Sequence, residues 1–428
     1  MLDIAIVAGV RTPFVKAFGP MESIPAHELG RIAAAAVLER ADVQVADIDQ
    51  VVFGSGTIHP EAPNPARVIA LLAGIPEDRP AHTVQRNCAS GLEAVSTAAQ
   101  ILQLGEAGTV LAGGTESMSQ IPILFSSEST ALFLRLMQAK GWWQRIKGML
   151  RFRPRHFKPV PGIKLGLTDP ICGLMMGETA EVLADDFGIT RQQQDEYALQ
   201  SHQRAAAAVE SCVLSEEITP VKTGGANGEV KKDIGPRKNQ TLEALAKLPP
   251  YFRPKNGTVT VGNSCSITDG AAALVMMPGE AARAQGRKPL GYLRGYAYAG
   301  CEPRRMGLGP VYATSKLLAK TGLSLKDIDL IEMNEAFAAQ IIANEKAFAS
   351  DQFAQKHLGL SKALGEIDRS RFNVNGGAIA LGHPVGATGT RLALTALKEL
   401  ERRNLRYGLA TLCIGGGQGG ALLLERGS

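Results

Sequence analysis

Two cysteines and one histidine, far apart in the chain, each sit among small residues at a strand–helix junction. Cys88 lies in Asn87-Cys88-Ala89-Ser90-Gly91, His383 in the glycine-rich run from Asn375 to Pro384, and Cys413 in Cys413-Ile414-Gly415-Gly416-Gly417. A helix is expected to open at Gly91, and its positive end would favour the thiolate of Cys88. A histidine hemmed by glycines is suited to serve as the base beside such a thiol. Cys413 ends an apolar strand, and the glycines after it let backbone amides approach a ligand closely. Singly, each has a plain alternative: a small buried thiol, a surface-loop histidine, a glycine-rich turn. Together they fit a specific chemistry. Cleaving a 3-ketoacyl thioester between its second and third carbons needs a soft nucleophile for the acyl group and an oxyanion site for the ketone oxygen. It also needs an acid for the departing carbanion, a task a second thiol can perform. No Gly-x-Ser-x-Gly elbow supports serine hydrolysis, and no Gly-Lys-Ser/Thr follows the glycines at 415–420, so a phosphate loop is poorly supported.

The elements that must position these groups come in two similar sets. Ala46–Gly54 (ADIDQVVFG) echoes Lys326–Asn334 (KDIDLIEMN). Each follows a helical pattern, His27–Arg40 in one case and Val311–Thr321 in the other. Each precedes a small-residue helix and a strand: Gly91–Leu104 with Thr109–Gly113, and Gly389–Arg402 with Tyr407–Cys413. Alternating buried strands and helices imply parallel βαβ units, and two copies imply a duplicated α/β domain with the site between the halves. Between them the pattern predicts helices around Gly177–Phe187 and over Arg191–Glu210, a Gly/Lys-rich turn at Thr223–Gly235, then strands at Gly257–Val261 and Asp269–Met277. The expected division is residues 1–120 completed by 251–280, an excursion over 121–250, and residues 281–428.

Composition narrows the setting. The 428 residues are 45% apolar and 20% charged with 5% aromatics, which suits a packed α/β protein. No leader or spanning segment is visible, and the start of the chain reads as a strand. Six widely spaced cysteines without a Cys-x-x-Cys pair argue against a disulfide framework or zinc site and for a reducing, cytoplasmic setting.

The motifs resemble the thiolase family nearly end to end. Asn-Cys-Ala-Ser-Gly at 87–91, Asn-Glu-Ala-Phe at 334–337, Gly-His-Pro-Val-Gly-Ala-Thr-Gly at 382–389 and Cys-Ile-Gly-Gly-Gly at 413–417 fall in family order. The insertion before Arg371 and the run Gly386–Arg391 are similar to the degradative thiolase subunit of the fatty-acid-oxidation trifunctional complex. The resemblance implies two βαβαβαββ halves packed as a five-layer α-β-α-β-α sandwich with an inserted loop domain. It implies that Cys88 is acylated, that His383 activates it, and that Cys413 handles the proton at the acetyl carbon. Asn334 would hold a water that forms one oxyanion hole with His383, and the amides of Cys88 and Gly415 would form the other. Met176, Ser264 and Cys265 would face coenzyme A, which is a substrate; no tightly bound cofactor and no metal are implied. The expected activity is 3-ketoacyl-CoA thiolysis by a ping-pong route, with acetoacetyl-CoA synthesis and a non-catalytic lipid-binding scaffold as the rivals. A homodimer or dimer of dimers is expected. Met175 stands where many short-chain biosynthetic members carry His, and Cys265 where they carry Ser.

One segment asks for its own explanation. Between Glu128 and Asp169 there are nine basic residues (Arg135, Lys140, Arg145, Lys147, Arg151, Arg153, Arg155, Lys158, Lys164) and no acidic one. An apolar stripe at Leu132, Leu136, Ala139, Trp143, Ile146 and Leu150 predicts a cationic amphipathic helix over 130–151, weakened by Gly141 and Gly148. Such a helix with tryptophans suits an anionic membrane face. A hydratase/dehydrogenase α subunit, packing on the protein's own body, and the phosphates of coenzyme A are the other expectations for the 130–165 stretch. The membrane option would place the protein peripherally at the inner face. No nucleic-acid motif accompanies the charge.

Overall fold

A computed structural model describes residues 1–57, 59–224 and 228–427. Its frame is one large mixed sheet. In chain order the principal strands are β1 (Ile4–Arg11), β2 (Gln50–Gly54), β3 (Ala81–Val84), β4 (Val110–Ser117), β5 (Thr268–Pro278), β6 (Gly291–Gly300), β7 (Leu330–Met333), β8 (Tyr407–Ile414) and β9 (Gln418–Arg426). Their spatial order is β7-β8-β9-β6-β1-β5-β4-β2-β3, and the short strand Val15–Lys16 also pairs with β5. The duplication is explicit in the ladders. β2 runs parallel to β3 and β4, β7 runs parallel to β8, and an antiparallel strand, β5 or β9, closes each set. The halves join where Ile4–Ile6 of β1 pairs with Gly291–Leu293 of β6.

The helices account for the layers. α1 (Ala26–Ala41) and α2 (Pro65–Leu72) cover the outer face of the first half, and α3 (Ser90–Gln103) covers its inner face. In the main body follow α4 (Met176–Asp186), α5 (Arg191–Glu210), α6 (Gly309–Thr321), α7 (Ala338–Phe348) and α8 (Thr388–Arg403). α6 covers the outer face of the second half, while α8 lies against its inner face and against α3. The result is the expected helix–sheet–helix–sheet–helix stack. Strands such as β5, buried over Thr268–Met277, need apolar residues on both faces, which is why they read as continuous rather than alternating runs.

The excursion expected over 121–250 divides. Ile121–Thr168 forms a separate compact unit, whereas 169–250 packs with the main body. The reason lies in α4 and α5. Both pack on α7, and α5 starts on a capping box in which Thr190 and Gln193 satisfy each other's backbone amides. Two expectations fail. Gly257–Val261 forms no strand among the described residues, because the amides of Thr258 and Val259 are taken by the carboxylate of Glu181 instead of a neighbouring ladder. The helix expected over 130–151 is two helices, Ser127–Gln138 and Trp142–Met149, broken where Ala139 and Gly141 adopt extended backbone. Of the expected turn at Thr223–Gly235, residues 225–227 lie outside the described residues; Val221–Lys222 and Glu229–Val230 on either side pair antiparallel. No helix among the described residues is long and apolar enough to cross a membrane.

Candidate active site

The nucleophile turn is built between β3 and α3. Asn87 holds a left-handed φ of 46°, which asparagine tolerates better than most residues. The Ser90 hydroxyl donates to Asn87 O at 2.7 Å and accepts from Arg86 N at 3.0 Å, closing the turn around Cys88. Asn87 Nδ2 donates to Gly415 O at 2.9 Å and so joins this turn to the loop after Cys413. The backbone amides of Gly415 and of Cys88 itself pull the pKa of the Cys88 thiol downward. These are the two amides expected to form an oxyanion hole. The expected thiolate is not found at rest. Burial pushes the Cys88 thiol up, outweighing both amides, and the nearby Glu116 charge adds to the rise. The resting group is a neutral thiol that requires a base.

His383 supplies a base whose tautomer can be deduced. The Thr388 hydroxyl donates its one proton to Pro384 O at 2.9 Å, so it accepts from His383 Nδ1 at 2.6 Å. Nδ1 therefore carries the imidazole proton, and Nε2 presents a lone pair. Nε2 is buried and meets no hydrogen-bond partner among the described residues. Burial, reinforced by the Arg391 charge, lowers the His383 pKa to about 3, so the ring is neutral and receptive. Its backbone amide is held by Ser266 O and Thr268 Oγ1, each at 3.2 Å. Gly382, at φ 97°, allows that approach, since a side chain there would collide with Thr268.

Glu116, at the end of β4, fixes the same loop to the first half. Its fully buried carboxylate accepts from Gly56 N at 2.8 Å, Gly386 N at 2.9 Å, Thr57 N at 3.2 Å and the Thr57 hydroxyl. Desolvation raises its pKa to about 7 against the pull of those donors. Gly386 is wedged between the halves. A Cβ on Gly114 would strike its carbonyl, and a Cβ on Gly91 would stand 2.7 Å from the same oxygen.

Asn334 follows β7 and is fully buried, with neither side-chain amide atom hydrogen-bonded to a described residue. That is the condition of a group able to orient a water or a ligand oxygen. Its neighbour Glu335 locks the turn. The Glu335 carboxylate accepts from Tyr197 at 2.9 Å, Ser201 at 2.6 Å, Asn373 at 3.0 Å and Ile379 N at 3.2 Å. The segment also binds the 263–265 strip, because Cys265 N donates to Ala336 O at 3.0 Å and Ala338 N to Asn263 O at 2.9 Å.

Cys413, buried at the end of β8, is raised well above an ordinary thiol by burial, then by the influence of Cys88 and Cys265. Cys265 is likewise pushed up to about 12, by burial and by Cys88. The Met176 sulfur lies 3.4 Å from the place a Cβ on Gly415 would occupy. The Ser264 hydroxyl instead donates to Thr260 O at 2.6 Å, so its proton is already used internally. Thr388 and Glu116 were not among the expected site residues. Thr388 sits inside a motif that was read, but only its hydrogen bonds reveal its task, and nothing local to Glu116 announces partners as distant in sequence as Gly386.

The profile of thiolase N-terminal domains matches residues 4–280 and that of thiolase C-terminal domains matches 287–426. Curated relatives include the 3-ketoacyl-CoA thiolases of Yersinia enterocolitica and Serratia proteamaculans, each 43% identical over 423 residues, covering 99% of this chain and 96% of the relative. Among solved structures, the Bacillus anthracis acetyl-CoA acetyltransferase superposes with a TM-score of 0.87 at 38% identity, covering 100% of this chain and 99% of the other. Human mitochondrial 3-ketoacyl-CoA thiolase in complex with CoA superposes with a TM-score of 0.85 at 37% identity, covering 99% and 98%.

Proposed function

The chain belongs to the thiolase family of acyltransferases, and from that premise we propose that it cleaves 3-ketoacyl-CoA with free coenzyme A, releasing acetyl-CoA and an acyl-CoA two carbons shorter. His383 Nε2 takes the Cys88 proton, and the sulfur attacks the C3 carbonyl. The oxyanion is met by the amides of Cys88 and Gly415, or by Asn334 through a water together with His383. As the C2–C3 bond breaks, the acetyl-CoA carbanion takes the Cys413 proton, and the acyl group stays on Cys88. In the second half-reaction the coenzyme A thiol gives its proton to Cys413 and attacks the acyl thioester. The departing Cys88 sulfur recovers its proton from His383, so the enzyme returns to its starting state. The observation that carries this reading is the buried Nε2 of His383, unpartnered among the described residues, in a site with a neutral nucleophilic thiol and a second, less acidic thiol. The raised pKa of Cys413 keeps its proton in place until the carbanion forms.

Fatty-acid β-oxidation is the proposed setting, from the names of the curated relatives. The second reading, acetyl-CoA C-acetyltransferase, is favoured by the likeness to the B. anthracis enzyme. Thiolysis rates on acetoacetyl-CoA and on a long-chain 3-ketoacyl-CoA, measured side by side, separate them. Preference for the long chain supports the degradative role and preference for acetoacetyl-CoA the short-chain one. Inactivity on both returns the non-catalytic scaffold, which the intact Cys88, His383 and Cys413 oppose.

Association with a second copy, or a dimer of dimers, fits the edge position of β3, whose Ala81–Val84 is half-buried and among the described residues pairs with β2 alone. For the unit 121–168, contact with a membrane face or with a hydratase/dehydrogenase subunit fits its exposed Trp142, Trp143, Met149 and Leu150. The proposed location is cytoplasmic, peripheral to the inner membrane face. Loss of binding to anionic vesicles on deleting 132–150 would support the membrane contact, and retention would end it.

A further inference from the structure

Within the unit Ile121–Thr168, four arginines converge on one cavity of about 350 Å³: Arg135 from the first of its two helices and Arg151, Arg153 and Arg155 from the chain after the second. That volume lies in the range of small-molecule sites. Glu128 is the acid on its wall, and it is already engaged. Arg155 donates to Glu128 Oε1 at 2.7 Å. His156 is buried; its Nδ1 accepts from Arg153 N at 3.0 Å, and its Nε2 lies 3.4 Å from the donating Nε of Arg155 and 3.1 Å from the same Glu128 oxygen. Glu128 is accordingly held below the ordinary carboxylate range, by His156 and then Arg155. The remaining three, Arg135, Arg151 and Arg153, have no carboxylate within ion-pair distance among the described residues.

The choice of base is selective. The segment contains five arginines and four lysines, and the cavity takes four of the arginines and none of Lys140, Lys147, Lys158 or Lys164. Lysine would serve diffuse attraction equally well. The guanidinium fork is distinguished by paired hydrogen bonds to planar or tetrahedral oxyanions. Three like charges facing one cavity also repel one another until an anion enters. A phosphate monoester, with charge close to −2 and three acceptor oxygens, matches that count better than a carboxylate does.

We propose that the cavity among Arg135, Arg151, Arg153 and Arg155 is a binding site for a phosphate group, borne either by a lipid head or by a soluble phosphate ester. It goes beyond the thiolytic reading and is tested by binding without turnover, so each can fail alone. Two probes are titrated against the full chain: inorganic pyrophosphate by calorimetry, and phosphatidylcholine vesicles containing phosphatidic acid by co-sedimentation. The double variant Arg151→Gln with Arg153→Gln is compared with Lys140→Gln with Lys147→Gln, which removes the same charge away from the cavity. The arginine pair should weaken at least one probe about tenfold, as expected for lost charge-assisted hydrogen bonds, and the lysine pair by less than about twofold. Arg135→Gln, on the first helix, gives the same readout without disturbing 151–153. Loss confined to vesicles identifies the lipid source, and loss on pyrophosphate the soluble one. Equal weakening by both pairs, or binding of neither probe to the unaltered chain, overturns the site.

Discussion

The two halves of the sheet place different side chains at equivalent positions. Gln50–Gly54 pairs with Val110–Gly114 as Leu330–Met333 pairs with Gly408–Thr411, so with the sequence echo aligned, Gly54 corresponds to Asn334 and Thr115 to Cys413. In the second half these positions hold an unpartnered amide and a thiol. In the first they are structural: Gly54 lets the backbone of Ser90 approach, and Thr115 donates to Ala26 O. The central helices show the same division. Ser90 opens α3 and Thr388 opens α8, and each hydroxyl donates back into the preceding turn while accepting from it. Ser90 accepts a backbone amide and shapes the nucleophile turn; Thr388 accepts an imidazole and sets which nitrogen is bare. Duplication supplied matching strand ends and helix starts, and the chemistry came from unequal side chains placed on them.

That contrast can be broken by substitution. The largest effect should follow Cys88→Ser, which removes the one reacting group of the first half and should lower thiolysis by about 10⁴-fold or more. Cys413→Ser should lower thiolysis by about 10²–10⁴-fold, the scale of general acid–base catalysis, while an acyl-CoA still adds its acyl mass to Cys88. Unimpaired thiolysis in Cys413→Ser would remove it from proton transfer.

Thr388→Val and Ser90→Ala test the paired helix starts directly. The first should lower kcat by about 10²-fold or more through the wrong tautomer, with KM little changed and Thr388→Ser restoring most of the rate. The second should cost about 1 kcal/mol of stability, read as a lower Tm. Similar kinetics for the two would dissolve the distinction.

The smallest effect concerns Glu116. Its folded pKa near 7 exceeds the ordinary carboxyl value, so the folded state binds the extra proton between those limits. Its contribution to stability is fully present below the unfolded value and is lost as pH rises through about 7. The Tm of Glu116→Gln relative to the unaltered chain should therefore improve from pH 5 to pH 8. A difference independent of pH would show that the carboxyl is not protonated in that window.

The candidate site residues were legible because each is embedded in a motif whose glycines and small residues are local. Helix α5 was read to the residue, Arg191–Glu210, since its pattern and cap are both local. What was not legible depends on remote side chains. Glu181 captures the amides of Thr258 and Val259 and abolishes an expected strand, although it lies on another element. The direction of the Cys88 shift was misjudged for a related reason. A helix end is visible in sequence, but desolvation by surrounding elements is not, and here desolvation outweighs the pull of the backbone amides. Glu116 joins residues 60 and 270 positions away, a relation no spacing rule contains.

The contact of Gly386 with Gly91 and Gly114 has a consequence for how this sequence can vary. Where backbone meets backbone without side chains, no compensating exchange at a neighbouring codon can make room for a methyl group. A library randomised at these three positions and selected for turnover should return glycine at each, while the apolar cores on either side accept many volume-preserving exchanges.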